Sequence, residues 1–322
     1  MSRPEALAVV GPTATGKSEV AVRLAERMDG EVISLDSRQA YRGMEVGTAA
    51  PTEGQRRRVP HHGVAFLDPD ERYGAGRFAR LARGWIEEIR GRGRVPILAG
   101  GTGLFLRALT DPVFDEPAMD EDRRGALETW LGARPEEEIR RWTRRLDPQL
   151  ADELDGLDPQ RCARTLELAL LSGRPLTWWQ RHGEPEAPPV DALVAVLAMD
   201  RDPHRDRIRR RIERQLEDGW PGEVRRLREA DLGPGDPPFT AVGYREVAAM
   251  LDGEIGRQEA VDRIAARTWQ YARRQRTWFR HQVPDDALRL DAGRPADELV
   301  RRIVEAWRAA RERDGKDGDA PS

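Results

Sequence analysis

Cysteine is nearly absent from this sequence. Cys162 is the only one in 322 residues, so an internal disulfide is excluded, and no Cys/His spacing of the zinc-binding kind is present. Long apolar runs are missing as well. No stretch of about 18 apolar residues occurs, which excludes a membrane-spanning helix. The opening Met1-Ser2-Arg3-Pro4-Glu5 leads directly into a strand-like run and carries no secretory apolar region, so a cytoplasmic location is expected. Lysine is the third scarcity. Among the 54 lysines and arginines only Lys17 and Lys316 are lysines. Lys316 lies in a charged tail, whereas Lys17 marks a place that arginine does not fill. Charge of one sign is also lacking: the net charge is -3 and the pI about 6.1. A uniformly basic nucleic-acid binder is thereby excluded, and any such contact must be localised and salt-dependent.

What is present is a charge-rich globular pattern, 39% hydrophobic and 34% charged. Ala6 to Val10 is an unbroken apolar run, as in a strand buried on both faces. A glycine-bearing turn follows, then helical spacing over 17–28. Glu31 to Leu35 reads as a second strand ending at Asp36, and residues 77–90 as an amphipathic helix. Val95 to Ala99 reads as a third buried strand, followed by Gly100-Gly101-Thr102-Gly103 and another helix. This alternation predicts an α/β fold: a parallel sheet of the P-loop NTPase kind, with polar loops gathered at the strand C-termini. The character changes near Asp115, and 117–185 shows helical patterns only. Strand-like sequence returns at 192–199. Helices are predicted at 203–218, 221–230, 241–251 and 258–280, and a last strand at 287–290. The expected organisation is a core of 1–114 and 191–311, a helical insertion of 115–190, and a disordered tail of 312–322.

Gly11-Pro12-Thr13-Ala14-Thr15-Gly16-Lys17-Ser18 has the form G-x-x-x-x-G-K-[ST] between a strand and a helix. Glycines let backbone N–H groups wrap round phosphate oxygens, and the helix N-terminus points at the anion. Lys17 adds a point charge, and the Ser18 hydroxyl suits Mg²⁺. A triphosphatase or kinase usually carries an acid at the end of a second apolar strand. Here 95–99 ends in Ala99-Gly100-Gly101-Thr102-Gly103 with no acid, which favours a site where diphosphate leaves and water is not the nucleophile. Asp36, at a strand end beside that loop, has three readings: Mg²⁺ ligand, helix N-cap or general base. The string Asp36-Ser37-Arg38-Gln39-Ala40-Tyr41-Arg42-Gly43 is dense in donors and carries an aromatic, as a loop reading a base edge needs.

These residues carry a resemblance. GPTATGKS (11–18), LDSRQAYRGMEVGTA (35–49), VPHHGVAFLDPDE (59–71), ILAGGTGLF (97–105), DPQRCARTLEL (158–168), VGYRE (242–246) and YARRQRTWFR (271–280), in this order, resemble the bacterial tRNA dimethylallyltransferase family. The resemblance implies prenyl transfer from dimethylallyl diphosphate to N6 of the adenosine next to the anticodon, with Mg²⁺, by a monomer acting on the anticodon stem-loop. It implies that Gly11 to Ser18 hold the diphosphate, with Thr13 and Lys17 also catalytic and Ser18 on the metal. Asp36 would be the general base, and Thr102 would line the channel where donor and base meet. Asp36, Ser37, Arg38, Gln39, Thr102, Arg124, Gln160, Arg161, Cys162, Ala163, Arg164, Gly243, Tyr244 and Arg245 would contact tRNA. An arginine of 207–211 would grip pyrophosphate: Arg211 by its spacing before Gly219-Trp220 and Glu223-Val224, with Arg207 one turn away. Two departures from the family pattern stand out. Ala50 precedes Pro51 where a lysine is common, and Trp269 precedes Gln270 where an arginine is common.

The plainer readings set expectations too. His61-His62 is expected as a turn after Pro60, Trp178-Trp179 as packing within the insertion, and Cys162 as a small packed side chain. The arginines of 258–280 read in isolation as a solvated basic face. The rivals are a P-loop small-molecule or nucleoside kinase, a prenyltransferase acting on free adenylate, and an RNA-binding regulator with a vestigial loop.

Overall fold

The computed structural model describes residues 3–71, 73–111, 114, 117, 119–151, 159–185, 187–233 and 236–317. The chain divides into two compact units, Met1–Thr110 with Val190–Ser322, and Asp111–Pro189. The first unit opens with β1 (Ala6–Val10), α1 (Lys17–Met28), β2 (Gly30–Leu35), α2 (Glu53–Arg58), β3 (His61–His62), α3 (Ala75–Gly91), β4 (Val95–Gly100) and α4 (Gly103–Thr110). The second unit contributes α5 (Glu121–Gly132), α6 (Glu136–Leu146), α7 (Pro148–Ala151), α8 (Pro159–Ser172) and α9 (Leu176–His182). The first unit then resumes with β5 (Ala192–Ala198), α10 (Arg201–Glu217), α11 (Trp220–Glu229), α12 (Pro237–Thr240), α13 (Tyr244–Leu251), α14 (Arg257–His281), β6 (Leu288–Asp291) and α15 (Ala296–Asp317).

The six strands form one parallel sheet in the order β3-β2-β4-β1-β5-β6. β1 lies between β4 and β5 and is buried at every residue, which is why it reads as a continuous apolar run. One face of the sheet packs Phe78, Ile86 and Ile89 of α3, Phe105 and Leu109 of α4, and Phe279 of α14. The other packs Val20 and Leu24 of α1 with Leu299, Ile303 and Trp307 of α15. A third cluster joins α10, α11, α13 and α14 around Tyr41, Met44, Trp220 and Tyr244. The second unit has its own small core of Leu131, Ile139, Leu150, Cys162 and Leu166. Trp179 there donates its indole N–H to Ser172 Oγ at 2.9 Å.

Two local expectations change. His61-His62 is a short edge strand rather than a turn, in register with Val32 and Ile33. Its anchor is long-range: His62 Nε2 meets Glu31 Oε2 at 2.7 Å, and Arg92 and Arg94 reach the same buried carboxylate. Burial alone would raise the Glu31 pKa, but the bonds from Arg92, His62 and Arg94 hold it down at about 2. The tail also differs. Residues 312–317 continue α15, since Arg-Glu-Arg sustains helical propensity up to Gly315; 318–322 lie outside the described residues.

Candidate active site

In a parallel sheet every strand delivers its following loop to the same edge. β1 delivers the Gly11–Gly16 loop, β2 delivers Asp36, and β4 delivers Gly101 and Thr102. The first loop is tightly constrained. Gly11 has φ +144°, and a Cβ there would lie 2.2 Å from the Leu197 carbonyl oxygen, so only glycine fits. Ala14 holds the left-handed conformation at φ 62°, which places strain inside the loop that α1 then terminates.

Thr13 is gripped at all its polar atoms. Its N–H donates to Gln275 Oε1 at 2.8 Å, its carbonyl oxygen accepts from His204 Nε2 at 2.7 Å, and its hydroxyl accepts from Arg211 at 3.1 Å. Gln275 also donates to the Gly101 carbonyl oxygen at 2.8 Å, so one buried amide ties the loop after β1 to the loop after β4. Arg276 faces His204 Nδ1 at 3.3 Å. Because a guanidinium can only donate, Nδ1 accepts and Nε2 carries the proton given to Thr13. Burial lowers the His204 pKa, and the nearby Arg276 and Lys17 add to this. Trp269 sits at the edge of His204, 5.6 Å between ring centroids, with the Arg205 and Arg276 guanidiniums 5.4 and 5.5 Å from its centroid. Where the family pattern carries an arginine, this chain thus supplies an aromatic face between two arginines.

Lys17 donates to the Pro12 carbonyl oxygen at 2.6 Å. Desolvation, and next the positive charge of Arg211, bring its pKa down to about 7, with Asp36 pulling the other way. Arg211 also donates to the Thr48 carbonyl oxygen at 3.2 Å. Arg207 reaches the Ala292 carbonyl oxygen at 3.3 Å instead. Of the two arginines that spacing left open, it is Arg211 that touches the loop at Thr13. The Thr48 segment is itself held by Gln215, which the sequence did not mark, and by Glu223, which it offered only as a spacing mark. Glu223, 1% exposed, accepts from the Val46 and Gly47 amides at 2.7 and 2.9 Å, and Gln215 donates to both their carbonyl oxygens.

Asp36 is a turn-capping residue on one oxygen only. Oδ1 accepts from the Arg38 amide at 2.8 Å and the Gln39 amide at 3.4 Å, while Oδ2 has no hydrogen-bond partner among the described residues. The N-cap reading is therefore half right, for a turn rather than a helix. Thr102 Oγ1 accepts from the Ser37 amide at 3.2 Å. Burial, and then the Asp36 charge, push the Tyr271 phenol up to about 12. Two cavities open here. The larger, about 1060 Å³, is floored by Lys17 and Ser18, with Ala50 on its wall. The smaller, about 300 Å³, is lined by Thr13, Asp36, Tyr271 and the apolar Ile208, Ile212 and Ile264; both are bounded by Ala14, Arg211 and Gln215.

The remaining expected contacts fall in two places. Arg38 donates to the Pro237 carbonyl oxygen at 3.0 Å, and Gln39 Oε1 accepts from Ser34 Oγ at 3.0 Å. Gly243 starts α13 at φ 98°, and Arg245 faces outward. Tyr244 does not: it is fully buried, with its hydroxyl on Glu223 at 2.8 Å and the Met44 carbonyl oxygen at 3.1 Å. Arg124, Gln160, Arg161, Cys162, Ala163 and Arg164 belong to the second unit. There Arg124 pairs with Glu167 at 2.7 Å, Arg164 pairs with the same carboxylate, and Arg161 is exposed. Cys162 is fully buried, as expected of a packed side chain, which leaves its neighbours to meet any ligand. Gln275, His204, Glu223 and Tyr271 are the site groups that motif reading missed. Two of them lie within YARRQRTWFR, where Gln275 falls on the same buried stripe as Ala272 and Phe279, and a polar residue on that stripe was the available signal.

A parallel sheet with G-x-x-x-x-G-K-S after its first strand, and a carboxylate after β2, which β4 separates from that strand, defines a P-loop α/β protein. The IPP transferase family model matches residues 39–282, and that of isopentenyl transferase matches 4–59. The chain belongs to the IPP transferase family. It is 42% identical over 291 residues to a tRNA dimethylallyltransferase of Halorhodospira halophila, covering 89% of this chain and 92% of the relative. It is also 42% identical over 279 residues to that of Thermomicrobium roseum, covering 86% and 84%. The solved tRNA isopentenylpyrophosphate transferase of Bacillus halodurans superposes with a TM-score of 0.71 at 33% identity, covering 99% of this chain and all of that one. A eukaryotic dimethylallyltransferase solved acting on tRNA gives 0.76 at 26% identity, covering 89% and 73%.

Proposed function

We propose that this chain transfers the dimethylallyl group of dimethylallyl diphosphate to N6 of adenosine 37, next to the anticodon of tRNA, releasing diphosphate. The observation that carries the reading is the meeting of Lys17, Arg211 and an Asp36 Oδ2 without a partner among the described residues, where an arginine-lined cleft adjoins a smaller cavity with three isoleucines on its wall. The names borne by the relatives support the same acceptor and donor.

The donor's diphosphate would lie against the Gly11–Ser18 loop, with its five-carbon chain in the smaller cavity against Ile208, Ile212 and Ile264. Asp36 Oδ2 would accept a proton from the exocyclic amine, which conjugation to the purine makes a weak nucleophile. As the N6–C1 bond forms, the C1–O bond breaks and its electron pair leaves on diphosphate. The loop amides, Lys17 and Arg211 would stabilise that charge where it develops. Mg²⁺, when bound, would screen the same charge; Ser18, which lines the cleft at the start of α1, would offer it a hydroxyl oxygen, with diphosphate and water as the remaining hard ligands. Thr102 and Tyr271 would border the flipped adenine. Asp36 to Gln39, Gly243, Arg245, Arg124, Gln160, Arg161, Ala163 and Arg164 would contact RNA, chiefly through Arg38, Arg161, Arg164 and Arg245, with the buried Tyr244 and Cys162 packing behind them. The second unit would clamp the anticodon stem-loop, and the enzyme would act in the cytoplasm.

The test is a transfer assay with radiolabelled dimethylallyl diphosphate and Mg²⁺, with unmodified tRNA and AMP as separate acceptors. Label in tRNA alone is expected. Label in AMP would move the reading to nucleotide prenylation, and label in neither would sink it.

A further inference from the structure

Arg207, Arg210, Arg211 and Arg214 all line the larger cleft from α10. Their separations of three and four residues place them within an arc of about 100° on one helix face. Like charges at such separations repel. Arg209, facing elsewhere, pairs with Asp262 at 2.8 Å and Glu213 at 3.3 Å. The four cleft arginines make no ion pair among the described residues. Of the four carboxylates of the cleft, Glu19 pairs with Arg23 at 2.6 Å, Glu53 with Arg57 at 2.8 Å and Glu45 with the Gly43 amide at 3.1 Å, while Asp218, just past the end of α10, makes no ion pair with these arginines. Exposure is graded as well. Arg211 and Arg207 are half-buried beside the loop, and Arg210 and Arg214 are exposed at the rim.

One diphosphate does not use this surface. Lys17, the loop amides, Ser18 and Arg211 already answer its charge, and at about 1060 Å³ the cleft exceeds what a single diphosphate fills. We propose that Arg207, Arg210 and Arg214 form a second anion station outside the P-loop, which takes the diphosphate group of free pyrophosphate. The station rests on the donor assignment above and deepens it. It draws donor diphosphate toward the loop, and after transfer it accepts pyrophosphate from Arg211 and passes it to solvent. Planar, permanently charged guanidiniums on successive turns suit this: each offers a fork to phosphate oxygens without a buried, fully satisfied cage that would trap the product.

The experiment is a calorimetric titration of inorganic pyrophosphate with Mg²⁺ into the wild type and an Arg210→Gln/Arg214→Gln variant. Both residues are exposed and glutamine keeps helical propensity, so α10 is expected to stay folded, which circular dichroism checks. The wild type should bind two equivalents and the variant one, the tighter. In steady state the variant should show a donor KM raised about three- to tenfold with a weaker salt dependence, and weaker product inhibition by pyrophosphate, at unchanged kcat and tRNA KM. One equivalent in the wild type, or two in the variant, overturns the station. So does a raised tRNA KM with an unchanged donor KM, which would give these arginines to RNA. Because the titration needs no transfer, a wild type that binds two equivalents yet prenylates nothing would refute the donor reading alone.

Discussion

Asp36 caps a turn through one oxygen and leaves the other without a partner among the described residues, and this makes a clean substitution available. Asn keeps an acceptor for the Arg38 and Gln39 amides but cannot take a proton. Asp36→Asn should lower kcat by roughly 10²- to 10⁴-fold with tRNA affinity unchanged, read by single-turnover transfer and filter binding; equal loss of both would make Asp36 structural. Lys17 couples the same site to pH. With its pKa at about 7 in the free protein, the ammonium is present below that pH and lost above it. Donor binding above pH 7 should therefore take up a proton, and donor affinity should fall as pH rises from 7 to 9. Calorimetry in buffers of different ionisation enthalpy reads the uptake, and Lys17→Met should remove it. Stability runs with the opposite sign. Between about 7 and the ordinary lysine value of 10.5 the unfolded chain holds more protons than the folded one, so the penalty Lys17 imposes on folding is full below pH 7 and shrinks as pH rises. The melting-temperature advantage of Lys17→Met without donor should narrow over that window.

At the scale of elements, the site is a convergence of three loops that a fourth element locks. The loops after β1, β2 and β4 meet because parallel strands end on one edge, but α14 determines their spacing. Its Gln275 joins Thr13 to Gly101, and its Trp278 packs so close to Gly103 that a Cβ there would lie 2.3 Å from the indole. Replacing Gln275 by Met strips a buried N–H and a buried C=O of their partners, at about 1–3 kcal/mol each. Gln275→Met should thus lose about 2–6 kcal/mol in denaturant unfolding and lower kcat more than it raises donor KM. A loss confined to stability would mean that the bridge does not position Thr13.

At the scale of the whole molecule, the chain leaves and re-enters the sheet-containing unit at neighbouring points: the Val190 amide donates to the Leu109 carbonyl oxygen at 2.8 Å. Replacing residues 111–189 by a short Gly/Ser linker should leave a folded P-loop unit that still binds pyrophosphate. Its tRNA affinity should fall by at least about tenfold, given the basic contacts removed. Loss of cooperative melting or of pyrophosphate binding in the shortened chain would refute the independence of that unit.

Much of this was legible without a structure because it is local. An apolar run followed by G-x-x-x-x-G-K-S is a strand, a phosphate loop and a helix start by chain geometry alone, and β2 with Asp36 at its end follows from the same logic. The period of α3 and α14, and the change of character near Asp115, need only neighbours in sequence. What only the tertiary structure decided depends on partners far along the chain. Arg211 rather than Arg207 meets Thr13 across 198 residues, His204 across 191 and Gln275 across 262. His61-His62 became a strand because β2 offers a free edge, and Tyr244 turned inward because Glu223 and Met44 take its hydroxyl. Sequence determines a backbone's local conformation through sterics and periodicity, so it placed the loop and the carboxylate. Which side chains then satisfy one another is set by packing at close density, where a shift of one helical turn exchanges one arginine for another.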